Sequence, residues 1–168
     1  MRRKTVLRSK LLLREIEKTA EMFVSTGNEH AAQIVGLMLH EGRYHPATVI
    51  VAPLFDNVNR DRYAEAMGQL VEPFDAYIYL CEGWTVSEPL SALEARTIRP
   101  SQDPNRIEIF MLHFVTKLGE QILKTWKIIR PETGQAYFEH LNDTEKPLEG
   151  RFANFYEYTF PESKGPAQ

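Results

Sequence analysis

Apolar side chains recur with helical spacing in two separate stretches of the chain. The first stretch, residues 9–26, predicts an amphipathic helix with Ser9 as its N-cap and Gly27 as its stop. The second predicts a helix from Asp56 or Asn57 to about residue 72, where Pro73 ends it. Its inward-facing residues are expected to be Tyr63, Ala66, Met67 and Leu70.

The rest of the chain shows shorter apolar runs that are typical of strands. The predicted strands are residues 31–39, 47–54, 74–81, 107–115, 120–130, 136–141 and 151–160. The loop 40–46, with Gly42 and Pro46, joins the first two as a hairpin. This order indicates an α+β fold, with a mainly antiparallel sheet of about six strands and two helices packed on one face of it.

Two runs that are among the most apolar in the chain, 74–81 and 107–115, should form the middle of the sheet. The segment between them, residues 85–105, is longer than a compact domain usually leaves without regular structure, which is typical of lids and binding loops. If the two strands are antiparallel neighbours, the ends of this loop meet. Glu82 then lies close to Arg106, beside Trp84 and Glu108.

Two interpretations of this candidate pocket remain open. In the first, an Arg106–Glu82 hydrogen bond simply fixes the ends of the loop. In the second, Glu82 and Glu108 form an acid/base pair in a cleft roofed by Trp84, and the protein is a small-molecule enzyme or binder. The first interpretation is favoured because structural ion pairs also perturb carboxylates.

The same residues carry a resemblance to a known group of proteins. Glu82-Gly83-Trp84 at the end of one strand, followed by Pro100-Ser101-Gln102-Asp103-Pro104-Asn105-Arg106-Ile107-Glu108, resembles a pattern in small uncharacterised bacterial and phage proteins. The group has Glu-Ala-Trp and Pro-Ser-x-x-Pro-Asp-Arg-x-Glu at these places, so Gly83 and Asn105 depart from it. The resemblance spans about residues 50–115 and implies a real structural unit, with no established activity.

Composition and charge change this picture little. A chain of 168 residues with 43% hydrophobic and 26% charged residues is expected to form one soluble domain, with flexible ends at 1–8 and 161–168. The net charge is −3, yet residues 1–14 carry six positive side chains and no acidic one. This basic arm is interpreted as a solvated tail or, less favoured, as a contact for an anionic partner or nucleic acid.

Few residues suggest catalytic chemistry. The single cysteine, Cys81, excludes an internal disulfide and a multi-thiolate metal site, and it is expected to be a buried, inert thiol. His40 and His45 are five residues apart, one too many for the zinc-protease helix motif, and His113 is expected to be structural. Neither a phosphate-binding glycine loop nor a G-x-S-x-G elbow occurs. We therefore expect no cofactor, no metal, no membrane span and a cytoplasmic location.

The segment 151–160 is rich in aromatic residues on one face. Stacking on single-stranded nucleic acid is disfavoured there because acidic residues surround the one arginine. Core packing or a subunit contact is expected instead. The candidate interface residues are Phe152, Tyr156, Tyr158 and Phe160. The leading hypothesis is thus a non-catalytic domain that acts through protein contacts and self-associates, forming a homo-oligomer.

Overall fold

The computed structural model describes residues 2–29, 32–51, 60–86 and 102–144. Within these ranges, six strands form one antiparallel sheet in the order β2-β1-β3-β4-β5-β6. The expected α+β class with a mainly antiparallel sheet is confirmed. The elements are α1 (Arg2–Ser25), β1 (Gln33–His40), β2 (Arg43–Val51), α2 (Arg60–Val71), β3 (Ala76–Thr85), β4 (Ile107–Thr116), β5 (Gln121–Ile129) and β6 (Tyr137–Thr144).

The two helices lie on opposite faces of the sheet, whereas we expected both on one face. Successive side chains of a strand point to opposite faces, so Ile78 of β3 packs with α1 while Tyr77 packs with α2. Leu13 and Val24 anchor α1 in one core, which we call the α1-face core. Met67 and Val71 anchor α2 in the α2-face core. Two-sided burial explains why β3 and β4 are continuously apolar in sequence.

Helix α1 begins at Arg2, earlier than the predicted start at Ser9. Ser9 is fully buried within the helix and is therefore not its N-cap. The sequence before Ser9 contains no glycine or proline, and arginine, lysine and leucine favour helix. Near the end of the helix Val24 is buried, whereas its neighbour Phe23 is 44% exposed. The helix ends as predicted, with Gly27 at a positive φ of 83°.

Helix α2 is rotated by about one residue relative to the predicted orientation. Met67 and Val71 are buried, whereas Ala66 is exposed and Leu70 is 47% exposed. The apolar residues of this short helix are compatible with either orientation, and packing on the sheet decides between them. Gly36 of β1 supports that packing, because a Cβ atom added to it would lie 2.7 Å from Phe74 Cδ2.

The hairpin β1–β2 has a tighter turn than the predicted loop 40–46. Glu41 and Gly42 both have positive φ, 48° and 75°, which is the two-residue turn that matches the twist of a hairpin. Pro46 therefore lies within β2, opposite Leu37, where the register shifts. Proline is accepted there because β2 is an edge strand of the described sheet and the shift is a bulge.

Asp75 fastens the lower end of the sheet, which we define as the end where Ala76 pairs with Thr116. Its backbone N–H donates to Leu37 O at 2.9 Å, and its carbonyl accepts from Lys117 N at 2.8 Å. Its carboxylate accepts from Leu39 N at 2.7 Å. One residue thereby joins β1, the start of β3 and the β4–β5 turn. The upper end, where Thr85 pairs with Ile107, carries the candidate site.

Candidate functional site

Strands β3 and β4 bring the two ends of the 85–105 segment together, as predicted. They pair without interruption from Ala76–Thr116 to Thr85–Ile107. Trp84 lies directly opposite Glu108, and Glu82 lies opposite Phe110. The even-numbered residues of both strands face α1, so the two glutamates and the tryptophan share that face at the upper end.

The arginine that joins the two glutamates is Arg130, which sequence reasoning missed. Its Nε donates to Glu108 Oε2 at 2.9 Å and its Nη2 donates to Glu108 Oε1 at 2.7 Å, a bidentate arrangement. The same Nη2 lies 3.8 Å from Glu82 Oε2. Trp126 and Ile128 of β5 lie on the α1 face, and Arg130, which directly follows the strand, continues the same alternation. That alternation is the signal that points to Arg130.

The side chains of Glu82, Glu108 and Arg130 are partly buried, which shields their ion pairs from water. The side chains of Glu82 and Glu108 are only 12% and 17% exposed, and that of Arg130 is 35% exposed. The hydrogen bond to Glu108 raises the pKa of Arg130, partial burial lowers it, and the charges of Glu108, Glu82 and Glu29 raise it further. The net shift is upward, so Arg130 remains a fixed positive charge between two carboxylates.

Arg106 occupies a different place from the one expected. We expected its guanidinium group to bond Glu82, but it lies over the Trp84 ring, with Cζ 4.6 Å from the ring centroid. A turn sets this position: Asn105 N donates to Asp103 Oδ1 at 2.7 Å, and Arg106 N donates to Asp103 O at 3.2 Å. We therefore assign the carboxylate-binding role to Arg130.

The arrangement favours a structural ion pair over an acid/base pair. A carboxyl group that acts as a general acid must be neutral near the working pH. Its surroundings must therefore destabilise the charged form. Here the charged guanidinium group of Arg130 donates hydrogen bonds to both carboxylate oxygens of Glu108 and lies near Glu82. These contacts are those of a structural ion pair that joins the upper ends of β3 and β4 to Arg130. Trp84 remains 43% exposed beside them, so the cluster is open to solvent on that side.

The other chemically interesting residues are dispersed. His40 and His45 have ring centroids 6.3 Å apart on the β1–β2 hairpin, with His40 Nε2 3.9 Å from Glu41 Oε1. Within the described ranges no three His, Cys, Asp or Glu residues are grouped so that they could hold a metal ion. Cys81 is buried, and its burial raises the pKa of the thiol to about 12, as befits an inert thiol.

His113 lies on the α2 face and is structural, as predicted. It is fully buried, with Nε2 at 3.0 Å from Gln121 Oε1 and its ring edge-on to Tyr77. Burial lowers the pKa of His113 to about 4, against the opposing effect of the Gln121 hydrogen bond. The imidazole is therefore neutral at neutral pH and donates to Gln121. Gln121 was missed because nothing in the sequence marks it as the partner.

The predicted interface residues Phe152, Tyr156, Tyr158 and Phe160 lie outside the described residues, as does most of the 85–105 loop. The side chains of residues 1–8, the first part of the basic arm, also lie outside them. No helix in the described part of the chain is both long and apolar enough to span a membrane.

Comparisons with protein-family models, with curated proteins and with solved structures find no match to this chain. Functional arguments therefore depend on the residues themselves.

Proposed function

We propose that this chain is a non-catalytic cytoplasmic domain that assembles with copies of itself. The observation that carries the proposal is the open sheet, whose edge strand β6 pairs only with β5 among the described residues. An edge strand presents backbone N–H and C=O groups that a further strand can pair. The arginine-bridged cluster at the upper end supports the non-catalytic part, because it resembles a structural ion pair.

The two edges differ in how well they are protected. Both edge strands have a bulge, but β2 also carries Pro46, which has no backbone N–H to donate to another strand. Strand β6 lacks proline and exposes two large apolar side chains, Tyr137 at 47% and Leu141 at 49%. Glu139 and Asp143 give it some charge, which limits indiscriminate pairing. Strand β6 is therefore the more suitable edge for a specific partner.

Sedimentation velocity over a wide range of protein concentration tests this proposal. We expect a concentration-dependent rise from the mass of one chain to that of a closed oligomer. Leu141→Lys should weaken the association, whereas Val49→Lys on strand β2, where Val49 is 57% exposed, is the matched control and should not. A single-chain mass at every concentration would contradict the proposal.

Small-molecule binding is a second candidate function, favoured by one specific observation. Trp84 is 43% exposed and already stacks with Arg106 beside two glutamates, so an exposed aromatic ring and charged groups of both signs lie together. An NMR screen of a small-molecule library against the full chain tests it, with Trp84→Leu as the control. A screen in which no compound binds the wild type better than the variant would count against this candidate.

Binding of nucleic acid through the basic arm stays a weaker prediction. If it is correct, the affinity for nucleic acid should fall steeply as the salt concentration rises, and binding should be lost when residues 1–14 are deleted.

A further inference from the structure

We propose that the β6 edge receives residues 151–160 of a second copy of the chain as an added strand. This inference rests on the proposed self-association and specifies its surface and its partner. This segment carries all four of the expected interface residues: Phe152, Tyr156, Tyr158 and Phe160.

Three aromatic rings in mutual contact, which we call the aromatic cluster, lie on the α1 face beside this edge. Phe110 of β4 and Phe138 of β6 are stacked with ring centroids 5.0 Å apart. Trp126 of β5 is stacked on Phe138 at 5.9 Å and lies 5.9 Å from Phe110. Phe110 and Trp126 are buried, whereas Phe138 is only partly buried. The aromatic cluster therefore includes one ring of the edge strand, Phe138, that is incompletely covered.

The 151–160 segment has a spacing of aromatic residues that can add rings to the aromatic cluster. Phe152, Tyr156, Tyr158 and Phe160 are separated by even numbers of residues, so in an extended strand they share one face. Neighbouring strands lie about 4.8 Å apart, and aromatic pairs interact at centroid distances of about 4.5–7 Å. A register that places one of these rings beside Phe138 therefore places the other three on the α1 face as well.

The connection to β6 fits exchange between two copies. Strand β6 ends at Thr144, and residues 145–150 precede the aromatic segment. Six residues span at most about 20 Å, which is enough to cross to a neighbouring molecule that lies edge to edge. A two-fold axis then repeats the same contact in both directions and closes the dimer.

Two full-length variants test the exchange. Tyr156→Pro removes a backbone N–H and bends the added strand, whereas Ser163→Pro introduces proline in the expected tail and is the matched control. We expect Tyr156→Pro to sediment as a single chain. We also expect its amides at 137–144 to exchange about tenfold faster or more than those of the wild type. Ser163→Pro should behave as the wild type does.

Cross-linking identifies which molecule supplies the strand. An isotopically heavy chain and a light chain that carries a photo-cross-linking residue at position 156 are unfolded, mixed and refolded together, so that mixed dimers can form. Heavy–light peptides that join position 156 to residues 137–144 are the expected product. Light–light products alone would mean that the segment pairs with β6 of its own chain, which overturns the inference.

The remaining outcomes separate this inference from the proposed function. If Tyr156→Pro remains an oligomer with unchanged exchange at 137–144, association uses another surface, and only the present inference fails. If the wild type is a single chain at all concentrations, both fail.

Discussion

Protonation of His113 should make the fold sensitive to mild acid. The imidazole is fully buried on the α2 face. In its neutral form it donates a hydrogen bond from Nε2 to Gln121 Oε1. Burial holds the pKa of His113 at about 4, whereas an unfolded chain has the ordinary value of 6.5. Well above pH 6.5 the histidine is neutral in both states and contributes no dependence on pH. Below it, the unfolded state binds the proton first.

The size of the effect follows from the difference in pKa. One unit of pKa corresponds to about 1.4 kcal/mol, so the full shift of about 2.5 units is worth about 3 kcal/mol. At pH 5 the unfolded histidine is almost fully protonated and the folded one almost neutral, which removes about 2 kcal/mol of the free energy of unfolding relative to pH 8. This stability is lost progressively as the pH falls from 6.5 to 4.

Urea denaturation followed by far-UV circular dichroism at pH 8, 7, 6 and 5 measures the effect. His113→Gln keeps a polar side chain able to bond Gln121 but has no proton to gain in this range. The remaining ionisable groups are common to both proteins, so the difference between their two pH profiles isolates His113. Profiles that run parallel from pH 8 to pH 5 would refute the reasoning.

Three further predictions concern stability and reactivity. Gly36→Ala should cost about 1–3 kcal/mol by overpacking β1, whereas Gly83→Ala, whose added Cβ has nothing within 4 Å, should be nearly neutral; equal effects in urea denaturation would contradict this. Arg130→Met leaves two partly buried carboxylates without their guanidinium group and should cost about 1–3 kcal/mol; a melting temperature equal to that of the wild type would reject the assignment of Arg130. Cys81 should resist iodoacetamide in the folded protein and react only after unfolding, so rapid alkylation under native conditions would show that the thiol is accessible.

The sequence predicted the elements of the sheet well because local patterns determine them. The apolar runs of β3 and β4 and the alternation of Ile122, Trp126 and Ile128 mark strands and their faces without further information. The turn was misjudged because Pro46 was interpreted as a strand breaker. An edge strand with a bulge accepts it.

The site was predicted less completely because its partners are distant in sequence. Pairing of β3 with β4 was sufficient to place Glu82, Trp84 and Glu108 together. The choice between Arg106 and Arg130 depends on a turn at Asp103 and on the register of β5, and neither is specified by the local residues. The orientation of α2 was missed for a related reason, since packing against the sheet outweighs helix periodicity in a short helix.

The two tryptophans give the protein a pair of intrinsic optical probes. Trp126 is 2% exposed and packs against Phe110 and Phe138 in the aromatic cluster, whereas Trp84 is 43% exposed at the upper end of the sheet. Acrylamide should quench Trp84 readily and Trp126 hardly at all while the chain is folded. Single-tryptophan versions would thus distinguish events at the sheet end from melting of the interior, with no label attached.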